Sequence, residues 1–281
     1  MKLNIMKLEK WVLFIDMLGY GNITGKIKND KEAENFISFM KSNEILLNGQ
    51  SGNKRKEEYK KVTFDLYEYY DIQVTFISDS LVINYKPLAF NKKEVTEDIR
   101  LLHSANALII ILSRLQTFIT NCLYNENKIL LRGGISNKYC KIVNNFAVGE
   151  GVIEAYQLES KIAIYPRIVI SSDITNNTKL IKALNYITQK IYNIDTFITT
   201  DYKEIAYLDY LKYHIGTLNN PMMSFALITT MKFFLKHKNV IEEKLLETST
   251  YENSSIKEKF LWLKEYHNNR LSKINKRLII Q

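Results

Sequence analysis

A chain of 281 residues with 46% hydrophobic and 25% charged side chains has apolar material for one large domain or two small ones, which excludes wholesale disorder. Its net charge of +9, from 39 Lys and Arg against 30 Asp and Glu, could attract nucleotides, nucleic acid or acidic membranes, but scattered solvated lysines explain it better. Two cysteines (Cys122, Cys140) and four separated histidines (His103, His214, His237, His267) give neither a disulfide framework nor zinc spacing, so metal chemistry would use oxygen ligands, as magnesium or manganese does.

In chain order, Trp11–Asp16 is a continuous apolar run closed by an acid, the pattern of a buried central strand. Residues 19–31 read as a polar turn region, and Asp30 as the N-cap of a helix with Ala33, Phe36, Ile37, Met40 and Ile45 on its apolar face. Residues 48–61 read as an exposed charged insertion; its lysines lack interleaved aromatics, so no direct nucleic-acid binding is expected. Ile72–Ile77 and Leu81–Tyr85 flank Ser78-Asp79-Ser80 as a hairpin. A long helix is predicted from about Thr96 to Asn125, with Ile99, Leu102, Leu108, Leu112, Leu115 and Ile119 on one side, followed by a strand over 128–136.

This β-α-β-β-α-β order predicts an α+β, ferredoxin-like core over residues 10–175. A mixed, partly helical extension over 176–281 should pack on it. The second half reads as a helix over 151–162, a strand over 166–171, a helix capped near Asp173 and another beginning near Pro221. A capping box at Ser255–Glu258 opens a last amphipathic helix carrying Phe260, Leu261, Leu263 and Tyr266. There is no apolar leader, and the most apolar run, Ala107–Leu112, is far short of the roughly 18 residues of a membrane span, so a cytoplasmic protein with no membrane partner is expected.

In such a sheet the end of the first strand and the hairpin tip are neighbours, which brings Asp16 to Asp79. Two carboxylates meeting there could bridge two magnesium or manganese ions, as in nucleotidyl transfer. Aspartates are also common turn residues. Asp16, however, directly follows five apolar residues, where an unpaired charge is costly. The turn Leu18-Gly19-Tyr20-Gly21 offers backbone that phosphate oxygens can approach. Phe14 and Tyr20 are candidates to stack on a base or ribose, although aromatics at such positions commonly serve the core. Tyr156, at helical spacing with Val152 and Glu159, reads as packing.

Four segments lie in the order found in class III nucleotidyl cyclase domains: Phe14–Tyr20, Ile77–Ile83, Leu131–Ile135 and Gly149–Glu159. With Pro166–Ile170 following, the chain more specifically resembles the Pycsar pyrimidine cyclases of bacterial antiphage defence. The resemblance runs from about Val12 to Ser171. It implies Asp16 and Asp79 as metal aspartates, helped by the Met17 carbonyl, and dependence on two Mn2+ or Mg2+ ions. It further implies a homodimer with shared active sites, cyclic UMP or cyclic CMP made from UTP or CTP with UTP preferred, and a separate effector that the product activates.

Departures accompany the resemblance. Thr75 stands where adenylyl cyclases carry a base-reading lysine, while Glu150 matches the acidic base-reading position. Ile153 and Gln157 replace the usual asparagine and arginine. Arg132 is then a candidate catalytic cation or an ion-pair partner. A conventional adenylyl or guanylyl cyclase is the first rival, which Thr75 disfavours. A catalytically silent nucleotide-sensing or dimerisation module is the second; Ile153 and Gln157 favour it and the two aspartates disfavour it.

Overall fold

Eight consecutive residues, Trp11–Leu18, form the central strand β1, buried along nearly its whole length as its apolar run requires. The computed structural model describes residues 8–49, 65–88, 96–218, 227–249 and 254–281; Lys54–Lys61 and Pro221 lie outside them. The short helix α1 (Tyr20–Thr24) and the long α2 (Asp30–Asn48) follow β1, then a helical turn α3 (Leu66–Tyr69) and the hairpin β2 (Tyr70–Ile77) and β3 (Ser80–Pro87). Next come α4 (Glu97–Tyr124), β4 (Leu130–Ser136), a small hairpin β5 (Lys141–Val143) and β6 (Phe146–Val148), and α5 (Glu150–Gln157), which ends in a π-helical turn, Leu158–Ile162.

The second half contributes β7 (Ile168–Ile170), α6 (Ser172–Thr175), α7 (Thr178–Tyr192), β8 (Ile198–Thr200) and β9 (Ala206–Leu208). It closes with α8 (Tyr210–Leu218), α9 (Leu227–Glu247) and α10 (Ser254–Leu271).

The main sheet runs β2-β3-β1-β4-β7-β9-β8. Its first four strands are antiparallel to their neighbours in the ferredoxin-like order the sequence predicts, so the fold is α+β. β7 then pairs parallel to β4, and β9 and β8 continue the sheet. Residues beyond 175 therefore add strands to the core sheet as well as helices around it.

Alternation along β1 gives the sheet two unlike faces. Trp11, Leu13, Ile15 and Met17 join α2, α4 and most other buried residues in one large core. Val12 and Phe14 face the other way, into a small cluster with Val82, Ile142 and Ala155 beneath α5 and the β5–β6 hairpin. Asp16 shares this thinly covered side.

Helix α4 spans 28 residues and begins after Thr96, whose side chain accepts from the Ile99 N–H as its cap; its most apolar stretch is two-thirds buried. It thus has the length and composition of a membrane span, contrary to the reading from Ala107–Leu112, and serves as the central core helix. Its buried surface is broad, because the sheet, α2 and α7 all pack on it, while Ile99, Leu102, Thr117, Asn121 and Tyr124 lie on the exposed side.

Elsewhere the local expectations need correction. The cap of α2 is Asn29, and Ile37 and Ile45 are exposed at 50% and 44%, whereas Asn43 is buried. Asn43 tolerates burial because it donates to the Phe39 carbonyl at 2.9 Å and accepts from Asn121 at 2.9 Å. The cap expected near Asp173 is Ser171, which caps α6, and Asn177 caps α7. On α10, Leu263 and Tyr266 are buried but Leu261 is not. Two of the four histidines, far apart in sequence, meet: the Nδ1 atoms of His237 and His267 lie 2.8 Å apart, and Tyr210 Oη lies 2.7 Å from His237 Nε2. Burial lowers the pKa of both rings and keeps them neutral, a structural arrangement.

Candidate active site

Register pairing sets Ile77, Ser80, Asp16 and Arg132 in one row across β2, β3, β1 and β4, hence on one face. A two-residue loop, Ser78-Asp79, closes the hairpin just beyond that row, with Ser78 in the left-handed region at φ 59°. Asp79 is thereby brought close enough to Asp16 for its carboxylate to raise the Asp16 pKa, as the ferredoxin-like order predicts. Asp16 is buried, at 8% exposure.

Arg132 Nε donates to Asp16 Oδ2 at 3.0 Å and also pairs with Glu159, which the π-helical turn after α5 holds almost fully buried. Burial raises the Asp16 pKa above its ordinary range; Arg132 opposes this and the Asp79 carboxylate adds to it. Glu159 is raised in the same way, by burial first, with Asp16 and Asp79 adding to it against Arg132. Two carboxylates, Asp16 and Glu159, thus share one guanidinium, with the Asp79 charge close by. Of its two possible roles, Arg132 displays that of ion-pair partner.

Among the described residues, no three His, Cys, Asp or Glu side chains are placed to hold one metal. Magnesium is usually held by only one or two carboxylates, with substrate phosphates completing its shell. The Asp16–Asp79 pair, an oxygen-only set whose like charges raise the cost of ionisation, fits such an ion. The Met17 side chain points into the main core, so only its backbone could contribute.

Phe14 shares a row with Thr75, Val82 and Gly134 and meets Tyr156 edge-on, ring centroids 5.3 Å apart. Thr75 is buried, and its Oγ1 has no hydrogen-bond partner among the described residues. Leu18 and Gly19 line a cleft beyond the end of β1, where Gly19 takes a left-handed φ of 81° that favours glycine. Tyr20 instead packs on Phe36, centroids 6.0 Å apart, and Gly21 is exposed within α1.

Glu150 does not join Asp16 within the chain. It is exposed in the first turn of α5, whose Gly151 lies against Val12, at the opposite end of β1 from Asp16. Ile153, Tyr156 and Gln157 are exposed along the same helix, beside exposed Phe146 and Val148.

Two residues near the aspartates carry no signal in the sequence. Glu159 lies in a π-helical turn that no local pattern marks. Lys259 comes from α10, far along the chain; burial lowers its pKa, Arg132 lowers it further and Asp16 opposes.

No family model and no curated sequence matches the chain. Among solved structures, the crystal structure of the adenylyl cyclase CyaB from P. aeruginosa aligns over 72% of this chain and 94% of that chain, at 10% identity and a TM-score of 0.36. So loose a superposition carries no weight beside the strand order and the side-chain geometry.

Proposed function

We propose that the chain is a nucleotidyl cyclase converting a pyrimidine nucleoside triphosphate, UTP ahead of CTP, into its 3′,5′-cyclic monophosphate. The observation that carries this reading is the convergence of Asp16 and Asp79 at one end of a ferredoxin-like sheet, on its thinly covered face. Two Mg2+ or Mn2+ ions bound there would supply activation of the ribose 3′-hydroxyl and neutralisation of charge on the leaving pyrophosphate.

The chain's own residues position and exclude. Arg132, braced by Glu159, fixes the orientation of the Asp16 carboxylate. Leu18 and Gly19 face the cleft in which the phosphates would lie. The Thr75 hydroxyl, buried and without a partner among the described residues, can donate to or accept from a base edge. In the reaction the O3′–Pα bond forms, the bond from Pα to the pyrophosphate oxygen breaks, and the 3′ proton passes to solvent.

A homodimer with shared sites accords with two features of the thin face. Glu150 is remote from Asp16 in its own chain, and apolar Val143, Phe146, Val148 and Ile153 are all at least half exposed there. The cyclic product would activate a separate effector in antiphage defence, in the cytoplasm, a role that rests on the motif resemblance alone. A second reading, a catalytically silent nucleotide sensor, is favoured by Ile153 and Gln157, which offer no cation to the transition state.

Incubating the purified protein with Mn2+ and equal ATP, GTP, CTP and UTP, then separating the products by mass, tests the reading. Cyclic UMP should dominate. Cyclic AMP as the main product would make it a purine cyclase, and the absence of any cyclic product would support the silent module.

A further inference from the structure

Beside the ends of β1 and β4 lies a cleft of about 370 Å3, within the size range of small-ligand sites. Leu18 and Gly19 form one side, and the C-terminal helices α9 and α10 form the other. Four lysines line it: Lys26, Lys128, Lys244 and Lys259. Lys128 is paired with Glu243, and Lys244 with Glu247 at 2.7 Å. Neither the Lys26 nor the Lys259 ammonium has a hydrogen bond or ion pair among the described residues. Exposed Glu126 is the remaining acid of the lining.

Lys259 is the unusual one. It is half-buried, close enough to Arg132 to be repelled and to Asp16 to be attracted, yet bonded to neither. A partly desolvated ammonium with no counter-anion costs stability. That cost is explained if an anion completes the site.

We infer that Lys259 anchors a polyphosphate: α10 reaches over the end of β1 to place this ammonium against the terminal phosphates of a bound triphosphate, with Lys26 at the cleft's exposed edge. The C-terminal segment thereby becomes part of the substrate site. The identity of the nucleotide rests on the cyclase reading; the anion site itself does not.

The test is calorimetric titration of the full chain with magnesium tripolyphosphate at fixed ionic strength, for the wild type, Lys259→Gln and Lys259→Arg. Loss of one charge-assisted contact should weaken binding by the Gln variant about tenfold, with the Arg variant nearly restored. Because the ammonium has no partner, Lys259→Gln should melt no lower than the wild type without ligand, and should lose most of the melting shift that tripolyphosphate gives. No binding by the wild type, undiminished binding by Lys259→Gln, or a lower ligand-free melting point in that variant would overturn the inference. The two proposals fail separately. Tripolyphosphate binding through Lys259 without any cyclic product would sink the cyclase and spare the anchor, and cyclic product with undiminished tripolyphosphate binding by Lys259→Gln would do the reverse.

Discussion

Burial and like charge act on Asp16 in the same direction, and Arg132 is the main restraint on them. The folded-state pKa of Asp16 and Glu159 is therefore raised above the unfolded value. For a raised carboxyl the folded state binds the extra proton, so this contribution is full below the ordinary carboxylate range near pH 4 and is lost as pH rises through the raised values. The metal-free protein should thus lose stability from this cluster as pH rises toward neutrality. Asp79→Asn removes one like charge. It should flatten that dependence and stabilise the metal-free protein at pH 7 by on the order of 0.5 kcal/mol, a figure reduced for the half-exposed position. Thermal melts in EDTA across this range check it, and a steeper pH dependence in the variant would contradict it.

At the scale of elements, the paired glycines of β4 show what the sequence motif was for. A Cβ on Gly134 would sit 2.2 Å from the Ala155 carbonyl oxygen and 2.6 Å from Leu158 Cβ, so α5 can lie on β4 only where no side chain intervenes. Gly134→Ala should cost about 1–3 kcal/mol by pushing α5 and its π turn, and with them Glu159, away from Arg132. Gly21→Ala meets nothing within 4 Å and should melt like the wild type, so the pair of variants, compared by calorimetry, separates close approach from a general intolerance of glycine loss.

Elements set by local chemistry were legible in the sequence: the apolar run to Asp16, the hairpin around Asp79, and α4 starting near Thr96. So was the meeting of Asp16 and Asp79, since strand order alone dictates it. What stayed hidden depends on partners from distant segments. Asn43 looks like a surface residue until Asn121 is beside it, and Lys259 looks solvated until α10 folds back toward Asp16. The histidines at 237 and 267 show no ligand spacing because α9 and α10, not the local sequence, bring them together. The breadth of the buried surface of α4 was missed for the same reason: a one-sided stripe presumes one neighbour, and this helix packs on β4, α2, α7, α8 and α9.

For the whole molecule, the unlike faces of the sheet point to its assembly. One face is sealed by α2, α4 and α7. The other carries the aspartates beside α5, together with Phe146 at 75% and Ile153 at 56% exposure. Light scattering should report a dimer for the wild type and a monomer for Phe146→Asp and Ile153→Asp combined; in the proposed shared-site dimer, melting of that variant should be unchanged and cyclic product should fall to background, because Glu150 would no longer reach a partner's aspartates. A monomeric variant at full activity would show that each chain works alone. The most direct measurement compares cyclic UMP formed from UTP and Mn2+ by the wild type, Asp16→Ala and Asp79→Ala, with melting curves alongside. The expected result is product from the wild type only, with both variants folded; product at the wild-type rate from either variant would contradict a reaction run by these two carboxylates.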